Sequence, residues 1–137
     1  MEPDDRWADI AMSTPGGFAG VLYRDGRPVL VLARPAEAAA AKTVLAPLIP
    51  RFPIQDASVE EGRWDFSQLV DWYNYLMQRT PLWSLNVTSG DKSESDNRIK
   101  FGVRDSASLN RVRALLDSLA IPCDLVLLEI GQSIQLR

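Results

Sequence analysis

Asp25-Gly-Arg-Pro-Val-Leu-Val-Leu32 is answered seventy-one positions later by Asp96-Asn-Arg-Ile-Lys-Phe-Gly-Val103. Asp25-Gly26 is a strong hairpin signal, because a two-residue type I′ turn needs positive φ at both central positions. The run after each arginine is largely apolar, broken only by Lys100 in the second, and reads as the return strand of a hairpin. Read outward in both directions, the echo extends to a whole unit.

On the first side, Phe18–Tyr23 reads as a strand and Pro28–Ala33 as its partner, with Pro28 at the strand start or on an edge. Pro35 suits a first helical turn, where a missing N–H costs nothing. Helix 36–47 follows, with Val44, Leu45 and Leu48 as its stripe; Pro47 and Pro50 are expected to end it. A third strand lies within Ile54–Glu61. On the second side, Leu82–Thr88 alternates as a strand, and the polar residues 89–96 read as a solvated hairpin tip. That loop lacks the glycine and terminal glutamate spacing of a calcium loop. Asn97–Arg104 is the return strand, and Asp105 caps helix 106–119. Leu125–Ile130 is so continuously apolar that a strand covered on both sides, or a central one, is expected.

The helices match in the same register. Ala38, Ala41, Val44, Leu45 and Leu48 fall opposite Leu109, Val112, Leu115, Leu116 and Leu119. After a two-residue slip, Val59-Glu-Glu-Gly62 meets Leu128-Glu-Ile-Gly131. Between the copies, Asp65-Phe-Ser-Gln68 has the form of a capping box. The helix it opens carries Phe66, Leu69, Tyr73, Leu76 and Met77 on one stripe and stops at Thr80-Pro81.

The expected fold is therefore α+β: two ββαβ units joined by a helix, with small, mainly antiparallel sheets packed against helices. Its parts are a flexible or loosely docked segment 1–17, which Trp7, Ile10 and Met12 can dock, and a first unit 18–62. A connecting helix 63–81, a second unit 82–131 and a tail 132–137 follow.

Composition narrows the chemistry. Among 137 residues there is no histidine, and Cys123 is the single cysteine. Ser-His-Asp and Cys-His nucleophilic sites are thereby excluded, and no nitrogen and sulfur ligand set for zinc remains. Cys123, after Ile121-Pro122, reads as a small buried hydrophobe. The net charge is −3 and the fifteen Lys and Arg are scattered, which argues against nucleic acid as a partner. No run of eighteen apolar residues spans a membrane. Met1-Glu-Pro-Asp-Asp-Arg-Trp7 lacks a signal-peptide pattern, so the location stays open between the cytoplasm and an exported form whose signal has been removed.

No catalytic, cofactor or metal residues are assigned. Adjacent Glu60 and Glu61 point to opposite faces of a strand. Asp65 and Asp71 lie about 120° apart around a helix. Trp64, Trp72 and Trp83 read as a shared core around the middle helix.

Three segments carry a resemblance: Arg63-Trp-Asp-Phe-Ser-Gln-Leu-Val-Asp-Trp-Tyr73, Ser95-Asp-Asn-Arg-Ile-Lys-Phe-Gly-Val-Arg-Asp105 and Ile121-Pro-Cys-Asp-Leu-Val-Leu-Leu-Glu129. In this order they resemble the pro-region of bacterial alpha-lytic-type serine proteases, and stand-alone bacterial proteins sharing its pattern. The likeness covers about residues 60–130. It implies a fold that assists and then inhibits a protease by laying its last strand and tail on the enzyme, here Gly131–Arg137. No protease domain follows in this sequence, so a free-standing, non-catalytic binding module is expected, with a protease-like protein as partner. Ser133, Ile134, Gln135, Leu136 and Arg137 are its candidate contact residues. The alternatives are a protease inhibitor acting in trans and a small-ligand regulatory domain with a site between the repeats.

Overall fold

A computed structural model describes residues 3–131. Its elements are helix α1 (Pro3–Ser13), strands β1 (Phe18–Arg24) and β2 (Arg27–Leu32), helix α2 (Ala38–Leu48) and strand β3 (Ser58–Glu61). Helix α3 (Phe66–Arg79), strands β4 (Val87–Ser93) and β5 (Arg98–Val103), helix α4 (Ser106–Ser118) and strand β6 (Val126–Ile130) follow. The class is α+β, as the paired pattern predicts. Among the described residues the strands form two sheets, β1-β2-β3 and β4-β5-β6. Each has one antiparallel and one parallel pairing, so the sheets are mixed and not mainly antiparallel.

The repeat holds residue by residue. Leu30 pairs with Val59 and Phe101 with Leu128; Leu32 pairs with Glu61 and Val103 with Ile130. The two sets of pairs are equivalent under the two-residue slip between the copies. Both hairpins carry a register shift at the same place, Phe18/Gly20 and Val87/Ser89. Each first strand is preceded by a left-handed residue, Gly17 at φ 71° and Asn86 at φ 65°. Glycine and asparagine are the residues that adopt this conformation most readily. Their carbonyls accept equivalent bonds, from Ala33 N–H at 2.8 Å and Arg104 N–H at 3.1 Å. A further matched pair closes each crossover: Gly62 N–H to Leu32 O at 2.9 Å, and Gly131 N–H to Val103 O at 3.1 Å.

Contacts divide the chain into two compact units. The first runs to Asp71 and includes Glu94–Asn97; the second takes Trp72–Ser93 and the residues from Arg98 onward. In the first, Leu30 and Leu32 of β2 meet Phe18, Ala41 and Leu45, with Ile10 and Ala11 of α1 and Phe66 and Val70 of α3. Val29 and Val31, on the other sheet face, are buried with Ala19. In the second, Ile99, Phe101 and Val103 alternate on one face of β5 and are fully buried. Helix α4, with Val112 and Leu116 buried, packs on β5 and β6.

Several expectations are corrected. The N-terminal segment is a helix, with Ile10 and Ala11 buried and Trp7 stacked on Phe18 at 5.4 Å, while Met12 is exposed. Pro47 lies inside the last turn of α2 and does not end it. Pro50 supplies the stop: the residue before a proline avoids helical ψ, and Ile49 sits at φ −130°, ψ 64°. Residues 82–85 form a 3-10 turn, so β4 begins at Val87 and absorbs most of the expected polar loop. Its Ser-Gly-Asp-Lys composition suits a ladder-held edge strand, where side-chain packing contributes little. Strand β6 is an edge, not a central strand. Cys123 is exposed, because Ile121 and Leu125 take the buried positions of that turn. Trp83 is 54% exposed, so it is not core.

Both caps form as the sequence indicates. Asp65 Oδ1 accepts from Gln68 N–H, and Gln68 Oε1 accepts from Asp65 N–H, each at 2.9 Å. Asp105 accepts from Ser108 N–H at 2.8 Å. That backbone bond, with the Ser108 hydroxyl, holds the Asp105 carboxyl below its ordinary value of 3.8.

Asn97 makes a two-bond polar tie across the first unit. At φ 54°, it accepts from Trp64 N–H and donates from Nδ2 to Trp64 O, both at 2.9 Å. Gly62 packs closely beside it: a Cβ there would lie 2.9 Å from the Asn97 amide, which would have to shift. Replacing Asn97 by Ala removes both bonds and is expected to cost about 2 kcal/mol in urea denaturation. Gly62→Ala should cost clearly less in the Asn97→Ala background than alone, a coupling that a double-mutant cycle measures.

Candidate binding edge and groove

The repeat places β3 and β6 in equivalent positions, each at the parallel edge of its sheet. Their residues differ in kind. Strand β3 is Ser58-Val-Glu-Glu61, with Ser58 and Glu61 exposed. Strand β6 is Val126-Leu-Leu-Glu-Ile130, with its first three residues half-buried and Ile130 56% exposed. Edge strands are ordinarily blunted by charge, because their free N–H and C=O groups invite pairing. Strand β3 follows that rule and β6 largely does not. Among the described residues no strand pairs with the outer edge of β6.

The charge on β3 is fixed in place. Arg24 donates from Nε and Nη2 to the Glu60 carboxylate at 2.8 and 2.9 Å, and from Nη2 to Ser95 O at 3.0 Å. The hydrogen bond from Arg24 holds the Glu60 carboxyl below its ordinary value of 4.5. Glu129, the one charge on β6, lies 3.9 Å from Lys100 Nζ. In the second unit, Tyr73 and Phe101 stack at 6.0 Å. A Cβ on Gly90 would lie 3.0 Å from both, so β4 carries glycine where two rings cover the strand.

A groove of about 510 Å³ lies in the first unit. Trp7, Tyr23 and Phe52 supply its aromatic walls, with Tyr23 edge-on to Phe52 at 5.4 Å. Val21, Leu48 and Ile49 complete the apolar surface, and Arg6 and Arg51 stand at its rim. A smaller cavity of about 300 Å³ in the second unit is lined by α4 and β6 residues, with Arg113, Asp117 and exposed Cys123.

The five candidate contact residues Ser133, Ile134, Gln135, Leu136 and Arg137 lie outside the described residues. The described strand leading to them is β6. Among the acidic residues weighed from sequence, Glu60 is bound to Arg24 and Asp65 caps α3, while Asp71 is exposed. Trp64 and Trp72 are half-buried, and Trp72 packs edge-on to Tyr75 of its own helix at 5.8 Å. The sequence reading missed the groove. Its signal was Pro50-Arg-Phe-Pro53, an arginine and an aromatic residue held between two prolines.

The Arg24–Glu60 pair is exposed, so water and salt screen it and it stabilises by at most about 1 kcal/mol. A carboxylate with a lowered value stabilises fully above its unfolded value and loses that contribution as pH falls through the folded one. The melting temperature should therefore hold from pH 7 to about 5 and decline below about 4.5. Glu60→Gln should flatten part of that decline, and the Glu60 contribution should shrink in 0.5 M salt, about the level at which surface pairs are largely screened.

No protein-family model matches the sequence, and no curated protein matches it.

Proposed function

We propose that this chain is a non-catalytic binding module that engages a protein partner along the outer edge of β6 and the segment after it. The observation that carries the reading is the contrast between two equivalent edges. Strand β3 is closed to pairing by serine and glutamates, while β6 keeps an apolar, partly exposed edge. Strand addition at such an edge draws affinity from main-chain hydrogen bonds and specificity from alternate side chains. Ile130, with Ile134 and Leu136 beyond it, would supply those side chains.

The resemblance to protease pro-regions gives the partner its class. In that family the last strand and tail lie against a chymotrypsin-like serine protease, and the corresponding residues here begin at Gly131. The sharper form of the reading is inhibition of such a protease in trans.

The full chain at micromolar concentration, assayed against a panel of chymotrypsin-like bacterial proteases, should inhibit at least one. Ile130→Lys should weaken that inhibition about tenfold, since it places a charge on the docking edge. A panel left fully active would reject the protease as partner. Inhibition unchanged by Ile130→Lys and by removal of residues 132–137 would reject the edge as the contact.

A further inference from the structure

The groove between α1, β1 and the segment after α2 has no part in the edge reading, and its chemistry points elsewhere. Its walls are three aromatic rings and three aliphatic side chains, and its volume of about 510 Å³ falls within the range of small-molecule sites. Trp7 is held by its stack on Phe18, and Phe52 by its edge contact with Tyr23, so two walls are fixed. Tyr23 remains 58% exposed, much for a large ring set among apolar neighbours. Pro50 and Pro53 bracket Arg51 and Phe52 and restrict the backbone that presents them.

The rim is cationic. Arg6 donates from Nη2 to Leu48 O at 2.8 Å, which steadies its guanidinium and leaves its other N–H groups for a ligand. Among the described residues neither Arg6 nor Arg51 has a carboxylate partner. The Tyr23 hydroxyl is a further polar group of the lining. A guanidinium matches a carboxylate through two parallel N–H···O bonds and is only weakly hydrated. Placed beside an apolar wall, it selects a ligand with an anionic head and an apolar body.

We propose that this groove is a binding site for apolar carboxylates, with the body against Trp7, Tyr23 and Phe52 and the head on Arg6 and Arg51. The site binds the carboxylate as its anion, so affinity falls as the ligand is protonated. Affinity also falls with salt, because the guanidiniums stand at the rim in reach of solvent.

Sodium octanoate, below its micellar concentration, is titrated into the full chain by calorimetry, with 1-octanol and octyltrimethylammonium as the neutral and cationic counterparts. Octanoate should saturate one site and bind about tenfold tighter than either counterpart, the margin that one charged pairing at a rim supplies. Arg51→Gln, at an exposed position, should weaken octanoate about fivefold and leave octanol unchanged. Phe52→Ala should weaken both. Octanoate should also change the tryptophan fluorescence of the wild-type chain and not of Trp7→Phe, which places it in this groove. Equal binding of all three probes would overturn the proposal and leave a bare apolar surface. So would the absence of saturable octanoate binding, or an unchanged affinity in Arg51→Gln, provided each variant melts as the wild type does.

Discussion

A strand paired antiparallel on one side and parallel on the other can be completed only by a crossover, and that need governs both halves of this chain. β2 and β5 are such strands. A parallel partner cannot be reached through a tight turn, so the chain must leave the sheet, cross one face and return. In each half the departure is fixed by a carbonyl of a left-handed residue, Gly17 or Asn86, and the return by the amide of Gly62 or Gly131. Between those bonds the crossover helix buries one stripe: Ala41 and Leu45 in α2, Val112 and Leu116 in α4. The alternating residues Leu30 and Leu32, or Phe101 and Val103, are what that stripe covers. The helix is thus held both by its return to the parallel strand and by its packing on the hairpin strands.

Within this shared frame the two units diverge where the frame is least demanding. The first hairpin closes over Asp25-Gly26, the second over Glu94–Asn97, two residues longer. Both Gly26 and Asn97 are left-handed, but only Asn97 has a side chain with which to grip the Trp64 backbone. The edges diverge as well. Charge on β3 protects a short strand from pairing, at the expense of holding Glu60 against Arg24. Apolar residues on β6 give that protection up, a choice that is costly for solubility unless something pairs there.

Much of this was legible because the relevant signals are local. Helical periodicity, the Asp65–Gln68 capping box, the Asp105 cap and the Asp25-Gly26 turn each involve residues within a few positions of one another. The equivalence of the two last strands was legible too, through the match of Val59–Gly62 with Leu128–Gly131, but their parallel pairing was not, since equivalence between copies does not say which strand pairs with which. What escaped the sequence depends on tertiary context. The polar β4 is a strand because β5 offers a ladder, not because Ser, Gly, Asp and Lys favour one. The apolar β6 reads as a central strand, since an apolar run alone cannot tell a covered strand from an apolar edge. Helix α1 was obscured by Pro3, Pro15 and the paired glycines around it, although Trp7, Ile10 and Ala11 lie on the face it buries. The groove joins residues from three separate segments, and no spacing along the chain announces such a meeting.

The disposition of charge bears on how such a fold can be used. Glu60 is engaged by Arg24, Glu37 by Arg34 at 2.6 Å, Glu129 by Lys100, and Asp65 and Asp105 by helix N-termini. General acid–base work needs a group poised near the operating pH beside a reacting atom, and lowered carboxylates such as Glu60 and Asp105 are moved away from that range. What the fold does present are main-chain groups on an apolar edge, and arginine forks beside aromatic walls. In the proposed readings each would recognise its ligand through shape and hydrogen bonding, which need no proton to move.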